Sequence, residues 1–260
     1  DLTHKKELFK AVEGSEIVYL TLGFEKYSAK VWRRKWPVLM KRTIEACKKY
    51  GSKLVFFDNI YMYDCAAIDN MTEQTVINPC SRKGKIRAEV AKMVTDEFQQ
   101  NELNAVIARS ADFYGPQAGN SILGQTVIQR LEKDKKALWM ADTKKVHNFT
   151  FTLDAAKATA LLGNTPDAYN QVWHLPTDHT KLTGSEWIEL IAKELDKKPA
   201  YRTLPIWLMK AAGIFVPMMR ELKEMAYQYD RNYFFNSAKF EEAFDVSPTT
   251  PIAGIRQVLR

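Results

Sequence analysis

The feature that most limits the fold is an alternation of short, unbroken apolar runs with longer stretches of helical periodicity. Ile17 to Leu22, Lys53 to Asp58 and Ala105 to Ala108 each read as a strand that is apolar on both faces. Such strands belong inside a sheet covered on both sides, because a sheet with one wet face alternates apolar and polar residues. A helix over residues 4–12, behind the cap candidate Thr3 and ending near Gly14, precedes the first run. Pro37 to Tyr50 is helical with Gly51 as its C-terminal cap, and Ile86, Val90, Met93, Val94 and Phe98 form one helical stripe. Next come a helix around Ser121 to Lys133, a strand at Asn148 to Leu153, a helix behind Asp154 and a strand at Gln171 to Leu175. This order predicts an α/β fold with a doubly wound parallel sheet and helices on both faces. Beyond His179 the chain is mostly helical: Thr183 and Glu186 form a capping box, and Pro205, Pro217 and Pro251 punctuate the segment. The run Ile214 to Met219 reads as a core helix end broken at Pro217, with a membrane or dimer contact as the alternative.

Of the 260 residues 46% are hydrophobic and 27% charged, which fits a folded chain and not a disordered one. No apolar run approaches the roughly 18 residues that cross a bilayer, and the first residues lack the apolar stretch of a signal peptide. The expectation is therefore a cytoplasmic protein with no membrane partner. A net charge of +7 favours anionic partners, a class that includes nucleic acid, phosphorylated small molecules and dinucleotides. Cys47, Cys65 and Cys80 are odd in number and lack Cys-x-x-Cys spacing, so they read as buried thiols without a disulfide or zinc site. His174 and His179 read as core and loop residues, because nothing near them completes a metal ligand set. The eleven glycines form neither a Gly-x-Gly-x-x-Gly loop nor a Walker loop, and no Gly-x-Ser-x-Gly elbow occurs.

Several segments carry a resemblance. Asp1-Leu2-Thr3, a helix and Glu16-Ile17-Val18-Tyr19 are followed by Phe57-Asp58-Asn59-Ile60-Tyr61-Met62-Tyr63, then Asn78-Pro79-Cys80-Ser81 and Arg109-Ser110-Ala111-Asp112-Phe113-Tyr114-Gly115-Pro116. In order and spacing this resembles the extended short-chain dehydrogenases, the NAD-dependent epimerase/dehydratase group, over nearly the whole chain. The resemblance implies a Rossmann-like domain over 1–116 and 145–178 and a smaller, mostly helical substrate domain over 117–144 and 179–260. It also implies that the family's first glycine-rich βαβ unit lies outside this sequence. The strand at Ile17 would then be a sheet edge, covered either by about 50 to 60 upstream residues or by another segment.

The resemblance further implies NAD or NADP lying across the carboxyl ends of the strands. Asp1 and Leu2 would lie near the adenine, Thr21, Leu22 and Gly23 along the ribose and phosphates, and Ser110, Ala111 and Asp112 near the nicotinamide. The family's catalytic serine, tyrosine and lysine fall at Asn59, Lys83 and Arg87. Asn59 can donate a hydrogen bond and Arg87 can hold a ribose, whereas Lys83 is a poor proton donor at neutral pH. Tyr61 is the substitute acid: in an extended segment it would face the same way as Asn59, with Lys83 or Arg87 lowering its pKa. Arg82, Lys83, Lys85 and Arg87 crowd a helix start, where the helix dipole disfavours cations, so an anionic ligand or a carboxylate partner is expected there.

The loop Phe24 to Pro37 interleaves Tyr27, Trp32 and Trp36 with basic residues and reads as a lip over a substrate, with nucleic-acid stacking as the alternative. Asn120, Ser121 and His147 are expected to line the substrate cleft. The expected activity is an NAD(P)-dependent epimerase/dehydratase-like oxidoreductase acting on an alcohol or sugar-like small molecule. A non-catalytic dinucleotide-binding sensor or scaffold and an RNA-binding derivative are the alternatives. A homodimer is compatible with the sequence, and nucleic acid is not the expected partner.

Overall fold

The computed structural model describes residues 4–260. Helix α1 (Lys5–Val12) starts from His4, so the expected cap Thr3 and the expected adenine neighbours Asp1 and Leu2 lie outside the described residues. There follow β1 (Ile17–Leu20), α2 (Ala29–Tyr50), β2 (Lys53–Asp58), α3 (Arg82–Gln99), β3 (Ala105–Arg109) and β4 (Asp112–Tyr114). A wide π-helical turn at Gly124–Ile128 leads into α4 (Gln129–Glu132), β5 (Ala137–Met140), β6 (Phe149–Phe151), α5 (Thr152–Asn164) and β7 (Gln171–His174). The chain ends with α6 (Gly184–Glu194), β8 (Tyr201–Leu204), α7 (Ile206–Ala212), α8 (Pro217–Met225), α9 (Ala238–Phe244) and α10 (Pro251–Val258).

β1, β2, β3 and β7 form a parallel sheet in that order, as the α/β reading requires. Side chains alternate between its faces. Leu54 and Phe56 of β2 pack with Trp36, Met40 and Ile44 of α2 and Ile86 and Val90 of α3. Val55, between them, packs with Ala155, Ala158 and Leu162 of α5 on the opposite face. Among the described residues β1 pairs with β2 alone and forms the edge of the sheet.

Several expectations are corrected. Helix α2 begins at Ala29 and runs through Pro37, because Trp32, Trp36, Leu39, Met40, Thr43 and Cys47 form one buried stripe whose packing outweighs the hydrogen bond that a proline removes. Trp32 and Trp36 are consequently core residues, and the basic-aromatic segment is no platform for stacking bases. The expected strand at Asn148 to Leu153 is shorter and pairs with β4, while β5 pairs in parallel with β8, a strand in the region expected to be helical. Cys65 and Cys80 form a disulfide at a sequence separation of 15, leaving only Cys47 free and buried. The two cysteines meet because an antiparallel bridge between Tyr63 and Ile77 folds the intervening loop back on itself, which Cys spacing does not encode. Finally, Ile214 and Phe215 are 76% and 85% exposed, so the run at Ile214 is not a core helix end.

Candidate functional site

Parallel register brings the last residues of three neighbouring strands side by side: Asp58 of β2 opposite Arg109 of β3, and Arg109 opposite His174 of β7. All three are buried. Arg87, reaching in from α3, donates to Asp58 Oδ1 through Nε (2.9 Å) and through Nη2. Its guanidinium also lies over the rings of Trp36 and Phe56 at 4.3 and 4.9 Å. Arg109 Nη1 donates to the Tyr63 hydroxyl (2.9 Å), and that hydroxyl lies 2.6 Å from His174 Nε2. Burial, with Arg109 and Lys239 adding repulsion, holds His174 down at about 3. The ring is therefore neutral: Nδ1 donates to the Asn236 carbonyl (2.8 Å) and Nε2 accepts from Tyr63.

The crowded cations at the start of α3 find carboxylate partners in α8. Lys83, fully buried, donates from Nζ to Glu221 Oε2, lies 3.7 Å from Glu224 and sits over the Tyr27 ring at 4.4 Å. Glu224 accepts from the Lys83 main-chain N–H (2.9 Å) and from Arg82 Nη2 (3.0 Å). The first turn of α3 holds no acidic residue, so α8 supplies in space the negative charge that a helix N-terminus favours. Of the partners expected there, an anionic ligand or a carboxylate, carboxylates are observed: the charges of Lys83 and Arg87 meet Glu221 and Asp58.

Gly84 allows α3 to approach the neighbouring turn, because a Cβ there would stand 2.2 Å from the Tyr61 carbonyl oxygen. In that turn Asn59 Oδ1 accepts the Tyr61 N–H (3.1 Å), so the segment is a side-chain-closed turn and not the expected extended pair. The Tyr61 ring stacks on Trp32 at 6.3 Å, and the Tyr27 hydroxyl donates to the Tyr61 hydroxyl at 3.3 Å. Burial first, and the Asp112 carboxylate second, raise the Tyr61 pKa above that of a free phenol, outweighing the hydrogen bond from Tyr27 and the charge of Arg87. This reverses the expected lowering.

Asp112 forms the floor of a second cluster. Its Oδ2 faces His147 Nε2 at 3.0 Å and accepts from the Tyr229 hydroxyl at 2.9 Å. His147 Nδ1 faces the Gln228 carbonyl at 3.1 Å, and the ring is sandwiched between Tyr229 (4.2 Å) and Tyr233 (4.3 Å). The buried Tyr227 hydroxyl lies against the Gln228 side chain and the buried Tyr233 hydroxyl against the Asp112 main-chain N–H, neither in good hydrogen-bond geometry. Tyr227, Tyr229 and Tyr233 all feel the Asp112 carboxylate, so the cluster is a polar network built around one acidic group. Ser110 bonds to the Ala111 carbonyl and Ser121 caps Gly124, so both are spent locally, while Asn120 is exposed. The sequence reading missed Tyr227, Tyr229, Tyr233, Glu221 and Glu224. The Tyr-x-Tyr-x-x-x-Tyr spacing at 227–233 was the one available signal.

A groove of about 580 Å³ opens between β1 and α5, lined by Tyr19, Thr21, Phe57, Phe113, Ala155 and Ala156 among others. Its volume suits a small molecule, and Thr21 places it at the carboxyl end of the sheet edge. A family model described as NAD dependent epimerase/dehydratase family matches residues 1–174. The chain belongs to this family. A search of curated proteins finds no match. Among solved structures, dTDP-glucose 4,6-dehydratase of Bacillus anthracis, in complex with NAD, superposes with a TM-score of 0.79 at 17% identity, covering 100% of this chain and 76% of the other. UDP-glucuronic acid 4-epimerase of Bacillus cereus gives 0.80 at 16%, covering 99% and 78%. UDP-glucose 4-epimerase of Thermus thermophilus gives 0.77 at 18%, covering 100% and 82%. At these identities the likeness concerns the fold.

The family's name implies NAD, and the strand ends provide the test of fit. Exposed Thr21 and Gly23 follow β1 and half-buried Asn59 follows β2, presenting hydroxyl, main-chain and amide groups of the kind that hold ribose and carboxamide, while buried Ser110 after β3 keeps its hydroxyl on the Ala111 carbonyl. Arg87 and Arg109 at these ends are committed to Asp58, so among the described strand-end residues none offers a free cation to a phosphate. The described residues thus fit the nicotinamide nucleoside and lack a phosphate cradle.

Proposed function

We propose that this family member is an NAD-dependent oxidoreductase of the epimerase/dehydratase type, acting on an alcohol or sugar-like substrate held between Tyr61 and Asp112. The observation that carries this reading is the part-exposed Asp112 carboxylate, which engages His147 and Tyr229 through Oδ2, leaves Oδ1 unengaged and acts electrostatically on Tyr61. A ligand hydroxyl supplies the partner that Oδ1 lacks. The solved relatives named above as acting on sugar nucleotides support that ligand class.

Bound nicotinamide supplies the hydride donor or acceptor. Tyr61, with its raised pKa, is protonated at neutral pH and donates to a substrate oxygen. Asp112 spends Oδ2 on His147 and Tyr229, which leaves Oδ1 for a substrate hydroxyl and for receiving its proton. Tyr27, bonded to Tyr61, fixes the direction of that phenol.

The test combines calorimetric titration with NAD and nicotinamide absorbance during incubation with sugar nucleotides and simple polyols. Turnover that Tyr61→Phe abolishes while cofactor affinity stays within about threefold supports the assignment. Turnover retained by Tyr61→Phe removes Tyr61 from the mechanism. Binding without turnover across the panel favours a dinucleotide-binding sensor, a reading consistent with both Lys83 and Arg87 being consumed by internal ion pairs.

A further inference from the structure

The hairpin of α7 and α8 carries a concentrated exposed apolar surface. Trp207 (67%), Ile214 (76%) and Phe215 (85%) are the most exposed, joined by Leu208, Val216 and Met218. The hairpin cannot bury these residues by closing on itself. Its inward faces are already filled by Met209, Met219 and Leu222, which pack into the core beneath.

Its charges are sorted in the same way. Both acidic residues of α8, Glu221 and Glu224, turn inward to Lys83 and Arg82. Lys210, Arg220 and Lys223 are exposed, and among the described residues none of them has an ion-pair partner. The outer surface is therefore an apolar tip ringed by uncompensated cations, in a chain of net charge +7.

From this charge complementarity we infer that the α7–α8 hairpin docks on an anionic lipid surface. The apolar side chains enter the boundary between headgroups and acyl chains, and Lys210, Arg220 and Lys223 remain at the phosphates. An amphipathic segment with aromatic and aliphatic residues on one side and basic residues beside them binds membranes in this way, lying on the bilayer without crossing it. Among the described residues no helix is long and apolar enough to span, so the contact is peripheral. The inference revises the expectation of no membrane partner and takes up the membrane contact that the run Ile214 to Met219 offered as an alternative. An acidic protein surface would satisfy the cations but leave Ile214 and Phe215 without the apolar medium their exposure demands.

The full chain is to be sedimented with vesicles of phosphatidylcholine and with vesicles containing phosphatidylglycerol. Expected are association with the anionic vesicles, weakening with salt, and a loss of about tenfold or more in partitioning for Ile214→Ser/Phe215→Ser and for Lys210→Glu/Arg220→Glu. Circular dichroism confirms that these surface variants fold. Lack of association with anionic vesicles overturns the inference, as does association that both variants retain. Sedimentation equilibrium supplies the remaining outcome: a dimer that the serine variant converts to monomer, without vesicle binding, assigns the surface to a second copy and overturns it too.

Discussion

Replacing Lys83 with Met removes one half of a buried ion pair while keeping most of the side-chain volume. Glu221 is left with its side chain 11% exposed, the Ala29 N–H at 3.2 Å and Arg82 at 4.0 Å. Breaking a buried pair from one side costs about 3 to 5 kcal/mol, and the two remaining partners put this case near the lower end, about 3 kcal/mol. Adding Glu221→Gln removes the stranded charge and keeps an acceptor for Ala29, so the double variant should lie within about 1 kcal/mol of the wild type. The pH dependence has a definite sign. In the wild type burial would raise the Glu221 carboxyl, but Lys83 and the Ala29 N–H outweigh it and hold the pKa below its ordinary value. That stabilisation is complete above the unfolded pKa of about 4.3 and disappears as pH falls through the folded value. In Lys83→Met burial prevails, the folded pKa rises and acidification stabilises the variant, so its deficit shrinks from pH 7 toward about pH 4. Urea unfolding followed by circular dichroism at both pH values measures the difference. A cost below about 1 kcal/mol at pH 7, or a cost independent of pH, would refute the reasoning and return Lys83 to the list of groups free to meet a ligand.

Gly84→Ala sets two effects against each other. Helix propensity favours Ala by about 1 kcal/mol, while the contact with the Tyr61 carbonyl costs about 1 to 3 kcal/mol through displaced backbone. A net loss is expected in thermal unfolding, and a raised Tm would count against the close packing. His174, held at about 3 in the folded state, makes the folded protein bind fewer protons than the unfolded chain between about pH 6.5 and 3. Stability should fall as pH drops through that window, and His174→Gln should flatten the slope; an unchanged slope assigns it to another group.

The alternation of strands and helices was legible because strands buried on both faces leave short apolar runs, as at Val55 and Phe56, bounded by turn residues and too short for helices. Edge placement of β1 followed from the resemblance to a known strand order and not from the strand's own residues. Pro37 misled because a local rule was applied where the buried stripe from Trp32 to Cys47 decides. The β4–β6 and β5–β8 pairs escaped because short strands joined through long crossovers leave little periodicity to count. At the site, Tyr61 and Asp112 could be named from the motifs that carry the resemblance, Asp112 as a neighbour of the nicotinamide, and His147 only from the region where the family's substrate cleft falls. Glu221 could not: it meets Lys83 across a sequence separation of 138, and no spacing rule reaches that far.

The way α3 is neutralised also bears on where proton chemistry can occur. Its two inward cations are neutralised from different elements, Lys83 by α8 and Arg87 by the end of β2. Arg87 still acts on Tyr61 electrostatically, but burial and Asp112 outweigh it, so the phenol is raised and not activated as a base. On the proposed reading Tyr61 can therefore give a proton at neutral pH but cannot take one, and the acceptor has to lie on the opposite side of the substrate. Asp112 is the carboxylate there whose second oxygen is not engaged, and His147 and Tyr229 anchor the first. An enzyme built this way divides between two residues the acid and base roles that one phenol beside a free lysine would combine.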